Sequence, residues 1–255
     1  MELGAPLKEP PDIDTAHNIP REKEGIIFRI LSYFITIIVF AVPFWVFMKV
    51  FSRVKIIGKY NLTKAKLPFL FVSNHVSMLD DAFLDPLLFI PRGLWDYKFM
   101  PYHTPERKNF YRGPIFSWIM EHVKCIPLTR GMGIYQPGIQ QIIGRLKGGN
   151  SVHIYPEGTR TRTGDIGRGK PGVGRIIHQA KCSVIPCYHS GLNEVLPLGS
   201  KTPKPGKRIT VIIGKPISFE RYNGYESNVR TWQSIADEVI QVISDLRDKL
   251  NPSSI

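Results

Sequence analysis

Residues 74–81, Asn-His-Val-Ser-Met-Leu-Asp-Asp, place one histidine five positions before the first of two aspartates, directly after the apolar run Leu67–Val72. A turn entering a helix brings residues at that spacing within hydrogen-bond reach. The carboxylate of Asp80 then fixes one imidazole nitrogen of His75 and leaves the other free as a base. Asp81 is read as stabilising the start of the following helix. The same pattern also fits a surface histidine beside a helix-starting aspartate, so chemistry needs a second group of residues.

That group is found at 155–164, Tyr-Pro-Glu-Gly-Thr-Arg-Thr-Arg-Thr-Gly, which leaves the apolar run Ser151–Tyr155 and turns through Pro156 and Gly158. The guanidinium of Arg160 suits bidentate binding of phosphate or carboxylate, and Glu157 orders the pocket or meets a hydroxyl. Arg130 follows the run Val123–Leu128 in the same manner, and His189 follows Ser183–Tyr188. Polar groups gathered at strand exits define one pocket, the place where open α/β sheets bind ligands. Gly167, Gly169 and Gly172 satisfy G-x-G-x-x-G but follow a charged loop, so they do not form a dinucleotide fingerprint. The chain has no G-x-S-x-G nucleophile elbow. The seven histidines show no metal-ligand spacing, so no metal is expected; His103, His122, His153 and His178 read as structural or exposed.

Elements that position these residues follow from the apolar pattern. Strands are expected at 69–73, 97–100, 123–128, 151–155, 183–188 and 208–214, with helices near 79–90, 114–121, 136–147 and 172–180. The final segment spaces Trp232, Ile235, Val239, Val242, Leu246 and Leu250 along one helical face. This alternation predicts an α/β fold, a single domain with a mostly parallel mixed central sheet flanked by helices. Three regions are expected: a polar tail at 1–24, a membrane-anchoring segment at 25–54 and the catalytic-sized domain at 55–255.

Residues 30–48 carry no charge and, as a helix, approach the ~20 residues needed to cross a bilayer. Pro43 can kink that helix, and Phe44, Trp45 and Phe47 suit an interfacial belt, so the segment either spans the membrane or re-enters one leaflet. Basic residues flank both ends, which favours a catalytic domain on the cytoplasmic face. The net charge of +13 calls for an anionic partner: nucleic acid, a phospholipid surface or a phosphorylated substrate. Nucleic acid is disfavoured by the apolar segment and by the lack of interleaved aromatic and basic residues. The three cysteines form no paired framework, which fits a reducing compartment and buried packing.

The runs containing His75–Asp80, Ile126–Gly131, Tyr155–Arg162 and Val184–His189 resemble, in order and spacing, the glycerolipid (lysophospholipid) acyltransferases of the PlsC-like superfamily. The resemblance covers about residues 55–220. The stretches Lys170–Ala180 and Val184–Pro197 look more particularly tafazzin-like, whereas Glu157–Arg160 reads as in lysophosphatidate acyltransferases. The resemblance implies catalytic His75 and Asp80, and acceptor binding by Arg130, Glu157, Gly158, Thr159 and Arg160. It implies transfer of a fatty acyl group from acyl-CoA, as co-substrate and without other cofactor, to a lysophospholipid hydroxyl, chiefly 1-acyl-sn-glycerol-3-phosphate. Expected partners are membrane phospholipids, the lysophospholipid acceptor and the acyl-CoA donor. The alternatives are a tafazzin-like transacylation without coenzyme A and, in another class, a non-catalytic protein that binds anionic lipid.

Overall fold

The computed structural model describes residues 25–161, 163–197, 199–200 and 202–250. The proposed tail at 1–24 and Arg162 lie outside the described residues. Five strands, β1 (Arg53–Ile57), β2 (Phe69–Ser73), β3 (Ser151–Ile154), β4 (Ser183–Ser190) and β5 (Arg208–Ile213), form one sheet in the order β1-β5-β4-β2-β3. Three pairings are parallel, and only β4–β5 is antiparallel.

The period of two along the strands divides the core into two layers. Phe69 and Phe71 of β2 face one layer with Ile185, Cys187, Val211 and Ile213. Leu70 and Val72 face the other with Val152 and Val184. Every residue of β2 and β3 is buried, as expected for parallel strands covered on both faces. Pro186, which has no N–H, stands near the point where β4 leaves its β2 partner at residue 187 and takes up β5 through residue 190.

The helices are α1 (Ile26–Phe34), α2 (Val42–Phe51), α3 (Lys59–Thr63), α4 (Asp80–Phe89), α5 (Arg92–Trp95), α6 (Arg107–Phe110), α7 (Gly113–His122), α8 (Pro137–Lys147), α9 (Pro171–Ala180), α10 (Leu192–Val195) and α11 (Val229–Asp248). α2 and α4 cover the first layer, and α8, α9 and α11 the second. The Asn228 side chain caps α11 by accepting from the Thr231 N–H at 3.0 Å. The buried stripe of α11 includes Ile243 where Val242 was expected, the drift that a 3.6-residue period imposes on a strict seven-residue spacing. A Cβ on Gly174 would lie 1.8 Å from the Trp232 carbonyl oxygen, so α9 and α11 cross this closely only because that position is glycine.

Two expected strands are absent. Residues 97–100 form turns, and 123–128 contribute only the isolated bridges His103–Cys125 and Glu106–Leu128. Lys124 adopts a left-handed φ of 59° and Pro127 lacks a donor, which together prevent a regular ladder. β1 was not anticipated, because the alternating Arg53–Ile57 resembles the basic end of the preceding apolar run.

α1, a π-helical stretch Ile35–Ala41 and α2 form one continuous helix long and apolar enough to cross a membrane. Pro43 cannot donate to a carbonyl one turn back and its ring crowds that turn, so the wider π turn immediately before it accommodates the mismatch. One side of this helix is attached to the domain. The Tyr33 hydroxyl donates to the Leu94 carbonyl at 2.6 Å, and Thr36 Oγ1 donates to the His122 carbonyl at 2.9 Å. Ile37 and Met48 are fully buried, whereas Ile26, Ile27, Ile30 and Phe34 are exposed. α7 packs beside α1 and also turns Ile115, Phe116 and Trp118 outward.

Candidate active site

β2 delivers Asn74 and His75 to the carboxyl end of the sheet, and a four-residue turn carries the chain to Asp80 at the start of α4. Asp80 is completely buried. Its Oδ2 accepts hydrogen bonds from the Val76 N–H at 2.7 Å, the Ser77 N–H at 2.8 Å and His75 Nδ1 at 2.8 Å. A carboxylate acceptor places the His75 proton on Nδ1 and leaves Nε2 with its lone pair. The Val76 and Ser77 amides therefore point inward, to Asp80, and are not available to stabilise an oxyanion. Tyr155 stacks on the imidazole with ring centroids 3.9 Å apart and planes within 13°.

The second loop grips the same histidine by its backbone. The His75 N–H donates to Glu157 Oε1 at 3.0 Å, and the His75 carbonyl accepts from the Thr161 N–H at 2.9 Å. Glu157 Oε2 accepts from the Gly167 N–H at 2.8 Å. Burial pushes the Glu157 carboxyl up from its ordinary range, while the Gly167 and His75 N–H groups oppose that shift. A Cβ on Gly167 would approach Glu157 Oε2 to 3.0 Å, which gives the glycine run at 167–172 a positioning role. Glu157 is thus turned into the protein, while Gly158, Thr159 and Arg160 line the open side.

Glu157→Ala is expected to lose about 2–6 kcal/mol of stability, since two N–H groups lose their charged acceptor at about 1–3 kcal/mol each. Chemical denaturation checks the loss, and any acyl transfer should fall with it because the turn bearing His75 is released. Unchanged stability would show that the two loops are held by other contacts.

A further anchor was not apparent from sequence. The Asn74 amide donates to the His189 carbonyl at 2.9 Å and accepts from the His189 N–H at 2.9 Å. His189 Nε2 donates to the Asn74 carbonyl at 2.8 Å and lies 4.0 Å from Asp80 Oδ2. Burial pushes the His189 imidazole down, against the pull of Asp80, which favours a neutral ring beneath the dyad. His189 therefore ties the end of β4 to the end of β2 instead of facing the open side.

His75 borders a cavity of about 1220 Å³. Phe40 and Phe44 of the apolar helix reach one part of its wall, and Arg130, Arg160 and Lys170 contribute positive charge elsewhere. Arg130 is half-exposed, with Nε 3.4 Å from Glu106 Oε2. Asp81, expected only to stabilise the helix start, also lines the cavity and places Oδ2 3.5 Å from His103 Nδ1. Asp85, His103 and His153 form a further polar cluster of metal-ligand type beside it.

Comparisons with known proteins agree with this architecture. The family model described as Acyltransferase matches residues 53–190. N-acylphosphatidylethanolamine synthase of Arabidopsis thaliana is 34% identical over 174 residues, 63% of this chain and 60% of that protein. Tafazzin of Drosophila melanogaster is 30% identical over 179 residues, 68% of this chain and 47% of that protein. A chloroplastic 1-acyl-sn-glycerol-3-phosphate acyltransferase of Arabidopsis thaliana is 30% identical over 168 residues, 66% of this chain and 44% of that protein. The chain thus spans about half of the length of these curated relatives. The crystal structure of the 1-acyl-sn-glycerophosphate acyltransferase PlsC from Thermotoga maritima superimposes with a TM-score of 0.60 at 19% identity, over 87% of this chain and 95% of that one. The chain belongs to the acyltransferase family, within the PlsC-like glycerolipid acyltransferase superfamily that includes tafazzin-like relatives.

Proposed function

We propose that the protein transfers a fatty acyl group from acyl-CoA to the free hydroxyl of a lysophospholipid, with 1-acyl-sn-glycerol-3-phosphate as the preferred acceptor. The observation that carries this reading is the His75–Asp80 pair, with Nε2 unengaged among the described residues, beside a cavity whose wall runs from Phe40 and Phe44 to Arg130 and Arg160. Apolar walls suit acyl chains, and the guanidinium groups suit a phosphate.

In this mechanism His75 Nε2 takes the proton of the acceptor hydroxyl as its oxygen bonds to the thioester carbonyl carbon. The tetrahedral intermediate then breaks its carbon–sulfur bond, and the imidazolium returns the proton to the departing thiolate. Asp80 stabilises the imidazolium while it exists. Glu157 holds the turn through the His75 N–H, and Gly158, Thr159 and Arg160 form the acceptor-binding edge with Arg130. No acyl-enzyme is formed.

The same reading places the protein on a membrane in one leaflet, with its catalytic domain on the cytoplasmic face. A helix hydrogen-bonded to the domain along one side cannot be encircled by lipid at the bilayer centre. The exposed apolar faces of α1 and α7 suit insertion to the depth of the acyl chains, with the basic surface over anionic headgroups.

The test supplies purified protein with one donor, acyl-CoA or a diacyl phospholipid, and one acceptor. Acceptors are lysophosphatidate, lysocardiolipin, lysophosphatidylcholine or the amine of phosphatidylethanolamine. The expected result is coenzyme A-dependent formation of phosphatidate, with Arg130→Ala and Arg160→Ala raising KM for lysophosphatidate. Transfer from phospholipid without coenzyme A would replace this reading by the tafazzin-like one. Acylation of the amine alone would point to the chemistry named in the Arabidopsis thaliana synthase.

A further inference from the structure

The polar cluster beside the cavity, of which Asp85 and His103 reach its wall, is not used by the acyl-transfer mechanism. Asp85 lies four residues after Asp81 on α4, His153 comes from β3, and His103 comes from the loop between α5 and α6. Asp85 and His153 are buried, and His103 retains 15% side-chain exposure. His153 Nδ1 lies 2.9 Å from Asp85 Oδ1 and 3.0 Å from Oδ2, and His103 Nδ1 lies 3.2 Å from Oδ2. One ligand atom from each residue falls within 4.8 Å of the others.

Two features of these atoms suit a cation. Asp85 Oδ1 and His103 Nδ1 are buried and make no well-aligned hydrogen bond among the described residues, although they lie 2.9 Å from His153 Nδ1 and 3.2 Å from Asp85 Oδ2 respectively. The Ser73 hydroxyl lies 2.8 Å from His153 Nε2 and 3.3 Å from the Asn74 carbonyl, so when it donates to that carbonyl the imidazole supplies the proton of the shorter contact. In that tautomer the Nδ1 lone pair is free to bind a metal beside Asp85; in the other, Nδ1–H donates to Asp85 Oδ2 at 3.0 Å, the contact a metal would replace. A hydrogen bond on the remote nitrogen is also the usual way of fixing the tautomer of a metal-ligating histidine. The nearby Lys124 ammonium donates to the Tyr97 and Met100 carbonyls and lies over the Tyr97 and Tyr102 rings, so it is held by its own partners.

We propose that Asp85, His103 and His153 form a divalent transition-metal site whose remaining coordination position faces the cavity beside Asp81. Two imidazoles and one carboxylate match zinc, whereas magnesium and calcium prefer oxygen ligands throughout. Zinc–ligand bonds of about 2.0–2.1 Å in tetrahedral array separate ligand atoms by about 3.3 Å, so the observed 2.9–3.2 Å needs only a small expansion. A dication there neutralises the two carboxylates and adds a positive charge to the wall that meets an anionic substrate.

The test titrates zinc chloride into metal-stripped, tag-free full-length protein in competition with a chromogenic chelator. One equivalent per chain with Kd below about 1 μM is expected, with no comparable binding of magnesium. His103→Gln should weaken zinc at least tenfold with the fold verified by circular dichroism, whereas His178→Gln should leave it unchanged. Because a variant can lose its fold, zinc X-ray absorption on the wild-type chain provides a second readout and should show two imidazole nitrogens. Absence of stoichiometric zinc, equal affinity in folded His103→Gln, or a spectrum without imidazole would overturn the proposal. None of these readouts depends on acyl transfer, so the site and the proposed reaction fail separately.

Discussion

Asp80→Asn is expected to lower kcat by about 10²-fold to 10⁴-fold while the protein remains folded. All three hydrogen bonds to Asp80 converge on Oδ2, from His75 Nδ1, Val76 N–H and Ser77 N–H. An amide oxygen in the same place still accepts from both backbone groups, so the turn keeps its shape. What is lost is the negative charge beside an imidazole that becomes cationic during proton transfer. His189 cannot supply that charge, since an imidazole is neutral or cationic and never an anionic partner. The discriminating pattern is a large fall in kcat, little change in KM, and a thermal midpoint within a few degrees of wild type. Turnover within about tenfold of wild type would remove Asp80 from the mechanism assigned to it.

Sequence carried the parts of this molecule that depend on local pattern. β2, β3, β4 and β5 are short apolar runs bounded by turn residues, and α11 declares itself by its stripe from Trp232 to Leu246. Strand exits predicted where His75 and Glu157 would meet, and the two loops do meet there. The failures have physical causes as well. Residues 123–128 have strand composition, but the left-handed Lys124 is held by carbonyls of a distant turn, a tertiary constraint that propensity does not register. β1 was hidden by its two charged residues, which an edge strand tolerates on its exposed positions.

Direction and distance were the least legible properties of the site. Glu157 stands in a charged turn that reads as open to substrate, yet both oxygens are used inside the protein, by His75 and Gly167. Asn74 has no role legible in sequence, and only its two bonds to the His189 backbone show that it joins two strands. Asp85, His103 and His153 fit no short ligand motif because a helix, a loop and a strand far apart in sequence bring them together. The cavity is likewise a property of packing, since its wall includes the π-helical stretch and the loop after residue 128.

The central claim is that His75 acts as the base in a direct transfer. Its Nδ1 is committed to Asp80, its backbone N–H to Glu157 and its carbonyl to Thr161, so the imidazole is held from three directions with Nε2 as the remaining reactive atom. Replacing the ring leaves the backbone contacts and the cavity arginines in place, so lipid binding should survive. The most direct measurement is phosphatidate formation by His75→Ala from acyl-CoA and lysophosphatidate, run beside flotation of the same protein on anionic vesicles. The account predicts a loss of about 10³-fold or more in turnover with flotation unchanged; turnover within about threefold of wild type would contradict it.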